Sequence, residues 1–402
     1  DDWEVKTLGE IGEPCMCKRI LKEQTSPTGD IPFYKIGTFG GIPDAYISRE
    51  LFEQYKEQYN YPKKGTLLLS AAGTIGRVVV FDGKDSYFQD SNIVWIDNDE
   101  TKVTNDFLFY CYSRMQWKTE EGGIVSRLYN ANLKSTSFIA PKSLAEQERI
   151  AKALSDVDAL ISTTEKLIQK KKNIKQGTMQ NLLTGKKRLP GFGNKQTDLF
   201  VPNGTHTKEV KDVSPEQIRL SAKMKQTELG EIPEDWEVKR LGEMLKIGHG
   251  KDYKNLKSGN VPVYGTGGYM TSVNDFLYEG ETVCIGRKGT IDKPQYHSGK
   301  IWTVDTLFYT YDFKSLNPKY LFYKFCLIDW LSMNEASGVP SLTAKNIEDI
   351  QITIPTEEEQ TAIANVLSSM DKEIETLNAK LEKYRNLKTA MLQPLLTGKI
   401  RL

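Results

Sequence analysis

Two glycine-containing strings have residue types that could bind an anion or the edge of a base. Residues 71–77 read AAGTIGR and residues 285–292 read IGRKGTID, so Gly-Thr-Ile occurs twice, each time beside a cation. One interpretation is a hairpin turn in which glycine supplies a positive φ. The other is a loop whose backbone amides, hydroxyls and cations approach a phosphate or a guanine edge. The candidate contact residues are Thr74, Arg77, Arg287, Lys288 and Thr290.

Four further segments carry candidates for the same kind of contact. They combine cations or small polar side chains with aromatic rings, in loops or just before a predicted helix. These candidates are Lys35, Thr38, Tyr46, Arg127, Tyr129, Asn130, His249, Lys251, Tyr253 and Ser341. A solvated segment without a ligand is the alternative interpretation for each of them.

Motifs for catalysis or metal binding are sparse. Neither glycine string has the Gly-Lys-Ser/Thr ending of a P-loop, and neither Gly-x-Ser-x-Gly nor His-Glu-x-x-His occurs. Three histidines and five scattered cysteines form no metal-ligand spacing. We therefore expect no catalytic residue, no metal site and no cofactor in this chain.

Length and composition fit a multidomain globular protein. Of its 402 residues, 39% are hydrophobic, which is enough for two or three buried cores. No apolar run approaches the roughly 20 residues that span a bilayer. The chain opens on Asp1 rather than on Met, so we expect the native terminus to lie upstream, and its cysteines suggest no disulfide scaffold. We expect a cytoplasmic protein with no membrane contact.

The net charge is +1, but it is unevenly distributed. Residues 141–190 carry 11 basic and 5 acidic residues, whereas residues 1–140 carry 16 and 20, and residues 226–355 carry 14 and 17. Phosphate neutralisation supplies most non-specific nucleic-acid affinity, so the two acidic segments could hold a polyanion only through local patches.

The chain is an internal repeat with constant ends and variable interiors. DDWEVKTLGE at 1–10 matches EDWEVKRLGE at 234–243, and LLTGKKRL at 182–189 matches LLTGKIRL at 395–402. AEQERIAKAL at 145–154 also corresponds to EEQTAIANVL at 358–367. Between these anchors the copies differ in sequence and length. Two copies of one domain whose variable interiors recognise different ligands would give this pattern.

The segments before each repeated ending have helical apolar spacing with a narrow seam, which indicates a coiled coil. The predicted seam residues are Ile150, Leu154, Val157, Ile161, Ile168, Ile363, Leu367, Met370, Ile374 and Leu381. A lone helix of about 40 residues would expose its seam to water, so the two helices should pair. Antiparallel pairing would relate the copies by an approximate two-fold axis.

The sequence thus predicts an α+β fold class: two α+β domains and a long antiparallel two-helix coiled coil, in a pseudo-two-fold repeat. The expected boundaries are 1–140 for the first domain, 141–190 for the first helix, 191–225 for a linker, 226–355 for the second domain and 356–402 for the second helix.

This arrangement resembles the specificity (S) subunit of type I restriction-modification systems. The resemblance rests on the repeated DWEVK-x-LGE string, on the Glu-Gln-x-x-Ile-Ala-x-x-Leu motif at 146–154 and 359–367, and on the Leu-Leu-Thr-Gly-Lys endings. It covers essentially the whole chain. TELGEIP at 227–233 has no counterpart before residue 1.

The resemblance implies a non-catalytic DNA-recognition protein. Each interior would be a target recognition domain for one half of a bipartite, asymmetric sequence in double-stranded DNA. The helices would act as a spacer and dock two methyltransferase (M) subunits that bring S-adenosylmethionine, while restriction (R) subunits would join for cleavage. Two rivals remain: a coiled-coil scaffold for proteins without a DNA role, which the near-neutral charge favours, and an enzyme acting through the Gly-Thr-Ile strings.

Overall fold

The computed structural model describes residues 2–117, 127–193, 219–220, 223–334 and 336–402. Most of the predicted linker, 191–225, lies outside the described residues. The chain forms two compact units: unit 1 comprises Asp1–Thr164 and Lys380–Leu402, and unit 2 comprises Glu165–Ala379. Among the described residues, no helix is both long and apolar enough to cross a bilayer.

Unit 1 contains three small sheets and short helices. Its elements, in chain order, are β1 (Trp3–Thr7), β2 (Gly12–Cys15), β3 (Ile31–Tyr34), β4 (Tyr46–Ile47), α1 (Arg49–Gln58), β5 (Leu67–Ser70), β6 (Val78–Val80), β7 (Tyr87–Phe88), β8 (Ile93–Asn98), α2 (Asn105–Tyr112), α3 (Asn130–Ser135), β9 (Ser137–Pro141) and the start of α4 (Leu144–Leu183). The sheets have the orders β1-β9, β2-β8-β5-β6 and β4-β3-β7, and only the β3-β7 pair is parallel among their pairings.

Unit 2 is built around a six-stranded sheet of order β15-β20-β18-β19-β16-β17. Its elements after α4 are β10 (Lys187–Arg188), β11 (Arg219–Leu220), β12 (Met224–Thr227), β13 (Gly230–Pro233), β14 (Glu237–Arg240), α5 (Leu241–Met244), β15 (Lys246–His249), β16 (Ser258–Gly265), β17 (Gly268–Val273), β18 (Tyr278–Gly286), β19 (Gln295–Thr303), β20 (Leu307–Tyr311), α6 (Pro318–Phe325), α7 (Ala344–Glu348), β21 (Gln351–Ile354) and α8 (Glu357–Leu396), which ends in unit 1. Pairs β10-β11, β12-β13 and β14-β21 form separate two-stranded sheets.

The two interiors share a strand plan despite their divergent sequences. In unit 1, β3 pairs in parallel with β7, with Tyr34 opposite Phe88. In unit 2, β16 pairs in parallel with β19, with Tyr264 opposite Thr303. The first strand of each copy also pairs with the strand that precedes the long helix, β1 with β9 and β14 with β21. The predicted α+β class and internal repeat are therefore confirmed.

Helices α4 and α8 pack antiparallel, as the contacts within each unit show. In unit 1, Asp158 of α4 forms an ion pair with Lys388 of α8 at 2.6 Å. In unit 2, Lys171 of α4 lies 2.7 Å from Glu373 of α8. The early part of one helix thus meets the late part of the other. Of the predicted seam residues, the buried ones are Ile150, Leu154, Val157, Ile168, Ile363, Leu367 and Leu381, and the partly buried ones are Ile161, Met370 and Ile374.

The repeated Glu-Gln motif fixes where each long helix begins. The Gln147 amide donates to Pro141 O at 2.9 Å and to Lys102 O at 3.0 Å. Gln360 donates in the same way to Pro355 O at 3.0 Å and Ser315 O at 3.1 Å. Each glutamine amide links the carbonyl of the proline before its helix to the carbonyl of a residue 45 positions before the glutamine, so the motif joins its helix to the preceding domain.

Candidate nucleic-acid interface

The first Gly-Thr-Ile string connects β5 to β6 as a hairpin. Gly73 and Gly76 have φ values of 64° and 91°, the left-handed region that favours glycine. The Ser70 hydroxyl closes the loop, because it accepts a hydrogen bond from Arg77 N at 2.9 Å and donates to Thr74 O at 2.5 Å. The turn interpretation is therefore correct for the backbone, and the side chains of Thr74 and Arg77 lie on its exposed surface.

The second string connects β18 to β19 and has its own close contacts. Gly289 has φ 93°. A Cβ on Gly286 would lie 2.1 Å from Thr290 O, so only glycine fits there. Arg287 is anchored to the turn at residues 303–306: its N donates to Thr306 O at 2.8 Å and its Nη1 to Asp305 O at 3.2 Å.

In both units a β-bridge joins the Gly-Thr-Ile loop to a segment more than 50 residues away. In unit 1, Ala72 bridges Arg127 and Leu128 N donates to Ala71 O at 2.9 Å. In unit 2, Lys288 bridges Ser341 and Leu342 N donates to Arg287 O at 2.9 Å. The structure therefore brings together two groups of predicted contact residues in each unit.

The bridged loops carry cations for which the described part of the chain provides no carboxylate partner. Arg77, Arg127, Arg287 and Lys288 are all exposed, and none of them forms an ion pair with another described residue. Arg77 and Arg287 are held by backbone carbonyls, whereas no hydrogen bond holds the side chains of Arg127 and Lys288 in the described parts of the chain. Tyr129 and Asn130 follow the first bridge and are exposed at the start of α3. Such loops can offer positive charge to a polyanion.

The segment with Lys35, Thr38 and Tyr46 lies beside the first loop, but its polar groups are largely occupied. Arg77 Nη1 donates to Phe39 O at 2.9 Å and so ties the two loops together. Lys35 is 2.8 Å from Asp44, and Thr38 Oγ1 accepts a hydrogen bond from Lys35 N at 3.1 Å within its own turn. Tyr46 is half-buried in β4. The structure thus gives this group structural roles.

His249, Lys251 and Tyr253 are brought near the second loop only through a shared turn. Lys251 N donates to Thr303 O at 2.8 Å, next to the carbonyls that hold Arg287. The Lys251 side chain is exposed, and the exposed His249 ring packs edge-on against Phe308 with centroids 5.0 Å apart. Tyr253 packs against a buried apolar cluster of the sheet.

A cleft of about 830 Å³ beside Thr290 contains residues that the sequence analysis missed. Its lining combines cations, aromatic rings and carboxylates, among them Lys293, Tyr296, His297, Lys319, Asp371 and Glu375. His297 stacks on Tyr264 with ring centroids 3.7 Å apart, and burial lowers its pKa to about 4. The imidazole is therefore neutral at physiological pH. The shared Pro-x-Tyr of IPFY at 31–34 and VPVY at 261–264 could have identified this region in both copies.

The described residues contain no group of three or more His, Cys, Asp or Glu side chains that could hold a metal ion. Chemically, the arrangement offers exposed cations, hydroxyls and backbone amides on two bridged loops. These groups suit contacts to phosphates and base edges.

Comparison with known proteins identifies relatives along the whole chain. A Haemophilus influenzae protein, named as a type I restriction enzyme specificity subunit, is 59% identical over 160 residues, which is 40% of this chain and 41% of that protein. The type I restriction enzyme MjaIX specificity subunit of Methanocaldococcus jannaschii is 24% identical and covers 100% of this chain and 94% of its own.

The fold is also similar to a solved structure. The type I restriction-modification S subunit from M. genitalium has a TM-score of 0.63 at 16% identity, over 98% of this chain and 96% of that one. The family model described as "Type I restriction modification DNA specificity domain" matches residues 1–176 and 233–383, one match for each copy of the repeat. The chain therefore belongs to the type I restriction-modification DNA specificity family.

Proposed function

We propose that this chain is a non-catalytic specificity subunit that reads a bipartite, asymmetric DNA target. One interior, 1–140, would read one half of the target, and the other, 226–355, the second half. The observation that carries this proposal is the duplicated bridged loop, which in both units presents exposed cations that form no ion pair with any residue the structure describes. Two similar frames with different contact residues suit an asymmetric target.

The helices of 141–190 and 356–402 serve as the spacer and as the docking surface for two M subunits. Three leucines on α4 and α8 support a protein partner, because their side chains are well exposed: Leu160 at 44%, Leu167 at 38% and Leu387 at 45%. Apolar side chains of this size gain free energy when a partner covers them. The M subunits bind S-adenosylmethionine and methylate adenine, and R subunits join the complex for restriction, in the cytoplasm.

The test is methylation mapping of a host that lacks other adenine methylation and carries this chain with its M subunit. We expect methylated adenines in one motif of two specific halves separated by unspecified bases. In a second chain, residues 11–141 replace residues 244–355, so that both interiors are the first one. This chain should methylate a symmetric target made of two copies of one half.

A continuous motif, or a duplicated-interior chain that folds with M subunits and keeps the original motif, would contradict the proposal. Methylation without any motif would favour the protein scaffold over a DNA-reading subunit.

A further inference from the structure

The two bridges occupy equivalent positions in the two units. In unit 1 the cation is on the segment that pairs with the loop, whereas in unit 2 it is on the loop itself. When the Gly-Thr-Ile strings are aligned, Ala72 corresponds to Lys288. Their bridge partners, Arg127 and Ser341, correspond as well. In each unit the leucine that follows the bridge partner donates its N–H to the carbonyl of the loop residue just before the bridge, Leu128 to Ala71 and Leu342 to Arg287. Unit 1 thus has a small residue on the loop and an arginine opposite it. Unit 2 has a lysine on the loop and a serine opposite it.

Residues directly opposite each other in an antiparallel pair project their side chains to the same face. Each bridge therefore presents one cation on one face, but from opposite strands and with different chemistry. Arg127 and Lys288 are exposed, and neither is engaged by another described side chain. A cation with no partner among the described residues is available for a ligand.

The two side chains differ in what they can recognise. A guanidinium presents a planar fork of donors that matches the O6 and N7 atoms of guanine, and this bidentate contact discriminates among bases. An ammonium is a compact point charge that suits a phosphate oxygen, and it lacks the planar fork that fixes the geometry of a bidentate contact. Arg287 and the Thr290 hydroxyl lie on the same loop as Lys288 and can complete a phosphate contact.

We propose that Arg127 reads a guanine in the half-site of unit 1, and that Lys288 contacts a DNA phosphate in the half-site of unit 2. This inference rests on the proposed function and adds the division of labour between the two bridges. The same backbone bridge then serves base readout in one unit and positioning on the DNA backbone in the other.

The experiment uses the complex of the full chain with its M subunits, DNA carrying the mapped motif, and salt from 50 to 200 mM. Arg127→Ala and Arg127→Lys should relax one guanine position of the first half-site and lower affinity for the full motif roughly 5- to 100-fold. Lys288→Ala should leave both half-sites unchanged, while the slope of log affinity against log salt falls by about 0.9.

The double variant Ala72→Lys with Arg127→Ser moves the charge of unit 1 to the side used in unit 2. It should not recover the guanine preference that Arg127 provides. Lys22→Ala, which removes an exposed lysine distant in sequence from both bridges, is the matched control. Melting temperature and retention of M subunits show that each variant is folded.

An Arg127→Ala complex that lowers affinity equally for all bases would overturn the base readout, as would an unchanged motif at unchanged affinity. A Lys288→Ala complex with an altered second half-site would overturn the phosphate contact. If the parent complex yields no bipartite motif, the proposed function itself fails, and that result is seen before any variant is made.

Discussion

Arg188 and Glu359 are 171 residues apart in the sequence, and their side chains meet in unit 2 with Nε 2.8 Å from Oε1. Trp236 Nε1 also donates to Glu359, at 3.2 Å. The same arrangement recurs in unit 1, where Arg401 Nη2 donates to Glu146 Oε2 at 2.8 Å and Trp3 donates to Glu146 at 3.4 Å. The sequence repeat has three repeated strings: the opening string, the start of the long helix and the LLTGK ending. In each unit, one glutamate at the helix start binds side chains from the other two strings.

The two networks differ in burial, and this difference predicts unequal stability effects. The side chains of Arg188 and Glu359 are 6% and 1% exposed, whereas in unit 1 Glu146 is 3% exposed but Arg401 is 49% exposed. Arg188→Ala leaves a buried carboxylate without its cation, which we expect to cost about 3–5 kcal/mol of unfolding free energy. Arg401→Ala, the matched variant, should cost less, because Arg401 lies at the surface and its removal opens Glu146 to water.

Chemical denaturation of the purified chain, followed by tryptophan fluorescence, measures both variants. Equal losses for Arg188→Ala and Arg401→Ala would mean that burial does not set the strength of this network.

Two glycines of the second loop provide a further pair of variants. Gly289 has a positive φ, and a Cβ there would make only an ordinary contact with Thr266 Oγ1 at 3.9 Å, so Gly289→Ala adds mainly backbone strain, of order 1–3 kcal/mol. Gly286→Ala would place a methyl against Thr290 O and must displace the loop. We expect methylation by the M-containing complex to fall much further with Gly286→Ala than with Gly289→Ala. A reversed order would show that the loop conformation is not needed for recognition.

Several of these features could be predicted from the sequence, and others could not. The apolar spacing gave the long helices and most buried seam positions, because helical periodicity is local. The bridge from Ala72 to Arg127 and the contacts of Gln147 with Lys102 join residues more than 40 positions apart. No local pattern encodes such pairs, so the residues were recognised as candidates without their partners.

The predicted contact residues show the same limit. Lys35 and Arg127 are both cations in polar segments, and no local pattern distinguishes one from the other. The structure pairs Lys35 with Asp44 and leaves Arg127 without an ion pair among the described residues. Whether a cation is free to bind a polyanion depends on its neighbours in the folded chain, which the sequence does not show.

The pKa of His297 predicts a pH effect on unit 2. Burial against Tyr264 lowers this pKa from 6.5 to about 4, so the folded state favours the neutral ring. Between pH 6.5 and 4 the unfolded chain binds more protons than the folded one, and the unfolding free energy must decrease as the pH falls. His297→Phe keeps an aromatic ring but cannot be protonated, so its loss of stability from pH 7 to pH 5 should be smaller than that of the parent.

An NMR titration of the histidine side chains provides the direct measurement. The His297 resonance should not shift between pH 7 and 5.5. His249→Phe serves as the control, because the His249 ring is exposed. A His297 midpoint near 6.5 would contradict the burial argument.

The exposed leucines of the long helices predict where a protein partner binds. Leu160→Glu and Leu387→Glu place charge on exposed apolar positions of unit 1 and should reduce the amount of M subunit that copurifies with the chain. Thr163→Glu, at an exposed polar position of the same helix, should have no effect. Full retention of M subunits by both leucine variants would place the docking surface elsewhere.

Net charge predicts that DNA affinity depends on the M subunits. The two interiors carry more acidic than basic residues, 20 against 16 and 17 against 14, so phosphate neutralisation by the chain alone is limited to loops such as those at Arg127 and Lys288. An M subunit that contacts the same duplex would add the missing positive charge.

At matched salt, we expect the isolated chain to bind motif-containing DNA roughly 10³-fold more weakly than the complex. The same duplex with both half-sites scrambled is the control, and it should reduce binding of the complex far more than binding of the isolated chain. Equal affinities of the chain and the complex would show that recognition does not require shared neutralisation of the backbone.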